Sequence, residues 1–209
     1  MQVIPVINVT TFEEIREKIK LVEKYVDLVQ IDVADGILTP NKTWNNPEDL
    51  LQLETSVNIE AHLMLKNPER VFNDWAKISS IKRILVHLEA TDAIERIFNL
   101  VEQYDKELGI AINLETPVEK LAPYLNRTNF FQILAVQPGL ASQNFNMAAL
   151  DKIKALKALK NDVIIEVDGG ITIDNAKLIK KAGADILASA SYIFNNSNVK
   201  EAIESLRNI

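Results

Sequence analysis

Two aspartates, Asp32 and Asp168, follow strongly apolar runs in distant parts of the chain and are candidates for acid/base chemistry. Asp32 lies in residues 29–36, an apolar run that continues to a second acid and a glycine. Asp168 lies in residues 164–170, which have the same build. Because scaffolds hold reactive groups in the loops after strands, one carboxylate could remove a proton from carbon and the other could return one on the opposite face. The alternative is that each Asp-Gly pair only ends a strand in a turn.

A third polar side chain, His62, lies in an apolar run and would complete a metal-binding set. Two carboxylates and one imidazole suit a divalent transition metal, so Asp32, His62 and Asp168 are candidate metal ligands. A lone histidine in an apolar run is more often a buried core residue, and the same alternative applies to His87. The thioether of Met64 is polarisable, although core filling is its ordinary role.

Three stretches of small residues indicate a phosphate site in the last third of the chain. They are residues 137–143, the glycine pair 169–170 and residues 189–191, each after a strand-like run. Backbone N–H groups at the late strand ends of barrels bind phosphate. The expected substrate-binding residues are His62, Met64, Gly139, Ser142, Gly169, Gly170, Ser189, Ala190 and Ser191.

The elements that must position these residues form a regular alternation along the chain. Strand-like runs occupy residues 3–8, 28–33, 59–65, 83–88, 109–113, 131–136, 163–167 and 186–188. Segments of helical periodicity begin near residues 11, 47, 67, 91, 117, 147, 174 and 198. Eight such units predict a parallel sheet closed into an α/β (β/α)8 TIM barrel, with a doubly wound open sheet as the alternative. Since no linker-like segment divides the chain, we predict one domain over residues 1–209.

Every predicted strand ends at or near a polar residue. These residues are Asn8, Asp32, His62, Glu89, Asn113, Gln137, Asp168 and Ser189. In a barrel the carboxyl ends of the strands share one face, which is where the chemistry of this fold is found. Turn formation alone would explain some of them, but the ring as a whole favours a polar pocket.

Composition excludes several classes of function. The 209 residues are 47% apolar and 25% charged, as in ordinary globular domains, and include no cysteine. The chain therefore lacks thiolate nucleophiles and Cys-type zinc sites, and we expect a cytoplasmic protein. A net charge of −6 argues against a nucleic-acid partner, and no apolar run is long enough for a membrane partner. A phosphorylated substrate is compatible with this charge, because backbone N–H groups bind phosphate without lysine.

Taken together, these stretches resemble the ribulose-phosphate 3-epimerase family over nearly the whole chain. The matching stretches are residues 32–36 with Pro40 and Asn41, 62–64, 87–90, Asn113 with Thr116 and Pro117, 138–139 with Gln143 and Phe145, 166–170 and 182–185. The resemblance implies a ribulose-phosphate binding barrel that converts D-ribulose 5-phosphate to D-xylulose 5-phosphate by inverting C3 through an enediolate. It makes Asp32 and Asp168 the acid/base pair, and it makes both of them, with His62, three of four metal ligands. We expect a small phosphorylated sugar as substrate, no organic cofactor and a homo-oligomer.

The chain departs from the family pattern around these residues. Gln30 stands where the family has its fourth metal ligand, a histidine. An amide oxygen is a poorer ligand than imidazole for Zn, Fe, Mn or Co, so we expect a divalent metal to be loosely held or absent. The other departures are Val6 in place of serine, Ala34 and Leu134 in place of methionines, Ala190 in place of glycine, and residues 140–142 in place of a glycine-rich loop.

Three hypotheses of function remain open at this point. The first is the pentulose-phosphate 3-epimerase, an isomerase. The second is a related epimerase or isomerase of another ketose phosphate, which Val6 and Ala34 motivate and which a substrate panel would distinguish. The third is an inactive sugar-phosphate binding homologue, which predicts ligand binding without proton exchange. Retention of both Asp32 and Asp168 argues against the third, since a binder gains little from two like charges in one pocket.

Overall fold

A computed structural model describes residues 1–139 and 143–209, and it contains a closed barrel of eight parallel strands. Each strand pairs with the next along the chain, and the last pairs with the first. The predicted (β/α)8 barrel is therefore confirmed. The strands are Gln2–Ile7 (β1), Leu28–Ala34 (β2), Asn58–Met64 (β3), Ile81–His87 (β4), Glu107–Ile112 (β5), Phe130–Leu134 (β6), Ile164–Asp168 (β7) and Ile186–Ser189 (β8).

Helices cover the outside of the barrel. The α-helices are Phe12–Val22 (α1), Phe72–Ala76 (α2), Ile94–Val101 (α3), Ala148–Leu159 (α4), Ile173–Ala182 (α5), Ser191–Phe194 (α6) and Val199–Arg207 (α7). The connections after β2 and β5 carry 3₁₀ helices instead, at Pro47–Gln52 and Val118–Tyr124. Pro123 lies inside the second of these, and its missing N–H explains why an α-helix does not continue there. Within residues 1–139 and 143–209, no helix has the length and hydropathy of a membrane span.

Capping boxes fix where α1 and α5 begin. The hydroxyl of Thr11 accepts a hydrogen bond from the backbone N–H of Glu14, and the Glu14 carboxylate accepts one from the backbone N–H of Thr11. Thr172 and Asn175 make the same reciprocal pair at the start of α5. Each box satisfies two backbone donors that the first helical turn leaves free. The box at Thr172 also fixes how the chain enters α5 from the end of β7.

Apolar side chains that point away from the barrel axis form the main core against the helices. Ile15, Ile19 and Val22 of α1 are fully buried there, together with Ile7 and Ile31 of the neighbouring strands. Burial of a side chain of this size stabilises the fold by about 1.5–3 kcal/mol. This outer core holds the strands in place, so their inward-facing residues can be polar.

The interior of the barrel has an apolar floor at its N-terminal end. Ile4, Leu85, Phe130 and Ile186 form a small separate cluster there. Gly109 lies between two of them, and a Cβ at this position would overlap the side chains of Leu85 and Phe130. The floor closes that end of the barrel, so the open end is the one at which the strands finish.

Above the floor lies a layer of buried polar side chains. Gln132 of β6 donates a 2.8 Å hydrogen bond to the side-chain oxygen of Gln30 of β2. Because β2 and β6 are not neighbours in the barrel, this bond crosses the interior. Arg83 forms a 2.6 Å ion pair with Glu60 and lies 4.0 Å from Glu166, both of which are fully buried. This layer supports the residues at the mouth of the barrel.

Candidate functional site

Asp32, His62 and Asp168 meet at the C-terminal mouth of the barrel. Asp32 and His62 face each other as register partners on the adjacent strands β2 and β3. Asp168 is the last residue of β7 on the far side of the opening. One potential ligand atom from each of the three lies within 4.8 Å of the others. The strand topology therefore brings together Asp32 and Asp168, which are 136 positions apart in the sequence.

Asp32 accepts hydrogen bonds at both of its carboxylate oxygens. Asn8 Nδ2 donates to Oδ2 at 2.9 Å. Gln30 Nε2 donates to Oδ1 at 2.7 Å, and His62 Nδ1 lies 3.1 Å from the same oxygen. The side chain is only 9% exposed, so these contacts fix its orientation. Asp32 is thus held as an acceptor that faces the mouth of the barrel.

Asp168 holds a proton more tightly than an ordinary carboxyl. Burial, followed by the negative charge of Asp32, raises the pKa of Asp168 to about 7. His62 and the hydrogen bond from Gln30 oppose this rise but do not cancel it. Two neighbouring carboxyls in which one keeps its proton near neutral pH have the chemistry that an acid and a base require.

His62 is connected to a second buried histidine, His87. Their Nε2 atoms are 2.9 Å apart, and His87 Nδ1 lies 3.4 Å from Glu89 Oε2. Burial lowers the pKa of His87, whereas the pKa of His62 is raised because its contact with Asp32 outweighs burial. Of the two rings, His62 therefore binds a proton more readily, and it lies beside the carboxyls.

Glu89 anchors this histidine pair from the loop after β4. Its Oε1 accepts hydrogen bonds from the backbone N–H of Asn113 at 2.9 Å and from the hydroxyl of Thr116. Burial alone would raise the pKa of Glu89, but the contacts with His87 and Thr116 outweigh it and lower the pKa to about 2. Glu89 is therefore a carboxylate, and its negative charge lies next to His87.

The amide nitrogen of Gln30 lies in the middle of the site. It is 2.7 Å from Asp32 Oδ1, 3.1 Å from Asp168 Oδ2 and 3.3 Å from His62 Nδ1. The amide oxygen points the other way and accepts the hydrogen bond from Gln132. The sequence led us to expect the Gln30 oxygen as a poor fourth metal ligand, whereas the nitrogen faces the site.

The geometry around Gln30 determines whether a metal ion fits between the two carboxyls and His62. Asp32, His62 and Asp168 form a group that could hold one. An amide NH₂ group, however, has two donors and no lone pair for a cation. Because that group of Gln30 lies within hydrogen-bond distance of both carboxylates, the residues as arranged do not fit a bound cation.

A cavity opens above the two aspartates toward solvent. Most of the residues predicted to bind substrate contribute to its lining: His62, Met64, Gly139, Gly169, Gly170, Ser189, Ala190 and Ser191. Ser142 lies outside the described residues. Val6 and Leu134, two of the departures from the family pattern, also line the cavity. The cavity therefore has a carboxylate floor and a rim of glycine, alanine and serine.

Sequence reasoning missed two residues of this site. Asn8 was recognised as a strand end but not as a partner of Asp32. Gln132 was not recognised, although a lone amide inside the apolar strand β6 was a visible signal. His87 is buried, as its more frequent role suggested, and it also touches His62.

Comparison with known proteins identifies the family of this chain. The ribulose-phosphate 3 epimerase family model matches residues 2–194. The ribulose-phosphate 3-epimerase of Bacillus subtilis is 31% identical over 214 residues, which cover 99% of this chain and 98% of that protein. The enzyme of the same name from Synechocystis is 33% identical, over 99% of this chain and 93% of its own.

Solved structures of lower identity share the fold. A 3-hexulose-6-phosphate synthase superposes with a TM-score of 0.75 at 16% identity and covers 100% of this chain and 99% of its own. A thiamine phosphate pyrophosphorylase from Pyrococcus furiosus gives 0.65 at 17% identity, over 99% and 94% of the two chains. Such likeness shows the barrel alone. The family match over residues 2–194 and the 31% identity to the Bacillus protein show that this chain belongs to the ribulose-phosphate 3-epimerase family.

Proposed function

We propose that this protein is an isomerase that interconverts D-ribulose 5-phosphate and D-xylulose 5-phosphate by inverting C3. Family membership supports an epimerase. The observation that carries the specific proposal is the pair Asp32 and Asp168 at the mouth of the barrel, of which Asp168 has a pKa of about 7. An inversion needs one group to remove a proton and another to supply one, and this pair offers both states near neutral pH.

The reaction uses the two carboxyls on opposite faces of the substrate. Asp32, as carboxylate, takes the proton from C3, the electron pair of the broken C–H bond forms a C2=C3 double bond, and the π pair of the C2 carbonyl moves onto its oxygen to give an enediolate. Asp168, as neutral acid, then gives its proton to C3 from the other face while the carbonyl re-forms. The reverse reaction exchanges the two roles. His62 Nδ1 lies 3.1 Å from Asp32 and 4.0 Å from Asp168, where a protonated ring would favour developing negative charge.

The phosphate binds at the rim, where the chain turns from β7 and β8 into helices. Gly169 and Gly170 have positive φ angles of 104° and 66°, which glycine adopts without strain. Such turns leave backbone N–H groups free to point at a ligand, and Ser191 begins the short helix α6 next to them. The proposal keeps the sequence-based expectations of a cytoplasmic location and a homo-oligomer.

The test is NMR of D-ribulose 5-phosphate in D₂O with the purified protein. We expect loss of the C3 proton signal together with the appearance of D-xylulose 5-phosphate. Asp32→Asn and Asp168→Asn should each slow this exchange by a factor of at least about 100. Asp162→Asn, the same change at an exposed position just before β7, is the matched control and should retain the wild-type rate.

The outcomes separate this proposal from its alternatives. Undiminished turnover in the Asp32→Asn/Asp168→Asn double variant would contradict the assigned chemistry. Exchange with another ketose phosphate, but none with ribulose 5-phosphate, would contradict the assigned substrate. Thermal stabilisation by the sugar phosphate without any exchange would indicate a binding protein.

A further inference from the structure

The position between the two carboxyls is already filled by a protein atom. The nitrogen of Gln30 contacts one oxygen of Asp32 and one of Asp168, at 2.7 and 3.1 Å. An amide NH₂ group carries two hydrogens, which is one for each carboxyl. The same nitrogen is 3.3 Å from His62 Nδ1, so it lies among all three atoms that could otherwise surround an ion.

Gln132 determines which end of the Gln30 amide faces the site. The NH₂ group of Gln132 donates to the Gln30 oxygen at 2.8 Å and to Glu166 Oε1 at 2.7 Å. All three side chains are fully buried. If the Gln30 amide turned over, its NH₂ would face the NH₂ of Gln132, and its oxygen would face Asp32 Oδ1, which now accepts a 2.7 Å hydrogen bond from the NH₂ group. Both contacts would be unfavourable, because buried donors and acceptors are costly to leave unmatched.

We propose that the Gln30 amide nitrogen takes the place of a cation between Asp32 and Asp168, and that Gln132 is the positioning residue that holds it there. The acid/base pair then works as a metal-free centre organised by hydrogen bonds. For a cation to enter, Gln30 would have to swing away or turn over, and either movement breaks its bond to Gln132. This inference deepens the proposed function, because it rests on the same two carboxyls as the reacting pair.

The experiment is a titration of the metal-stripped protein with Co²⁺, followed by calorimetry and by visible absorbance. Neither readout requires substrate. We expect no saturable binding to the wild type up to about 1 mM. Gln132→Met keeps a similar volume but removes the donor, so Gln30 can turn its oxygen inward, and we expect Co²⁺ affinity to rise about tenfold or more. Gln103→Met, the same change at an exposed position, should behave as the wild type.

A second variant tests the same proposal if Gln132→Met does not fold. Gln30→His removes the NH₂ group and adds an imidazole, and we expect it to bind Co²⁺ about 100-fold more tightly than the wild type. The visible absorbance of Co²⁺ bound to Gln30→His should be lost when Asp32→Asn is added to that variant. Chelator should leave the C3 proton exchange of the wild type within about twofold of its untreated rate.

Two results would overturn the inference. One is stoichiometric, micromolar binding of Co²⁺ by the wild type that disappears in Asp32→Asn. The other is a folded Gln132→Met variant whose Co²⁺ affinity equals that of the wild type. If the Co²⁺ results are as expected but no C3 exchange is seen, the proposed substrate fails while the role of Gln30 and Gln132 stands.

Discussion

Replacing Asp168 by asparagine is expected to stabilise the fold above neutral pH while it abolishes C3 proton exchange. The pKa of Asp168 is raised from 3.8 to about 7 in the folded protein. The folded state therefore binds this proton more tightly than the unfolded chain does. The stability that protonated Asp168 contributes is fully present below about pH 4 and is lost as the pH rises toward about 7. Above that pH the free energy of unfolding no longer changes because of this group.

The size of the effect follows from the same two pKa values. Each unit of difference is worth about 1.4 kcal/mol, so ionised Asp168 would cost the fold about 4 kcal/mol in the limit of high pH. Asparagine has no such cost and can still accept the hydrogen bond from Gln30. Between about pH 5.5 and about pH 8.5, the free energy of unfolding of the variant should gain roughly 2 kcal/mol relative to the wild type.

The assay is urea unfolding of both proteins at several pH values, followed by circular dichroism. The control is Asp162→Asn, whose carboxyl is exposed, and its stability relative to the wild type should not change with pH in this way. A difference between Asp168→Asn and the wild type that stays constant from about pH 5.5 to about pH 8.5 would refute the assigned proton affinity. So would a variant that becomes relatively less stable as the pH rises.

Four other changes test how the site and the fold are supported. Arg83→Leu should lower the free energy of unfolding by about 3–5 kcal/mol in urea titrations, because it leaves the fully buried Glu60 without its ion pair. Arg127→Leu, which breaks more exposed pairs, should cost less than about 1 kcal/mol in the same assay. Gly170→Ala should raise the KM for the sugar phosphate about tenfold in steady-state assays and destabilise the fold by roughly 1–3 kcal/mol. The reason is that φ of Gly170 is 66° and that the added Cβ would overlap the backbone nitrogen of Phe145. Thr11→Ala should cost about 1 kcal/mol by thermal or urea unfolding, since it removes the capping box of α1.

The barrel and the three central residues could be predicted from sequence for a simple physical reason. Parallel strands that are buried on both faces are continuously apolar, so an acid or histidine at their ends stands out. Closure of a parallel barrel then places every strand end on one face, and Asp32, His62 and Asp168 must meet there.

The role of Gln30 could not be predicted in the same way. Which end of its amide faces the site depends on Gln132, which is 102 positions away in the chain. In a doubly buried strand, the residue pattern does not distinguish positions that face the barrel interior from those that face the helices. The helical segment beginning near residue 117 was predicted, but its 3₁₀ type was not, because helical periodicity is compatible with either helix type until Pro123 limits it.

The hydrogen bond between Gln132 and Gln30 has a consequence for the order in which the protein folds and becomes active. Asp32, Gln30 and His62 belong to the first three strands, whereas Gln132 and Asp168 belong to β6 and β7. A chain in which only the early strands have paired holds one half of the proposed acid/base pair and no partner for the Gln30 oxygen. Contacts of this sequence separation form only after a large loss of chain entropy. In a refolding experiment, recovery of C3 proton exchange therefore measures closure of the whole barrel, and it should lag behind the signals that report individual strands and helices.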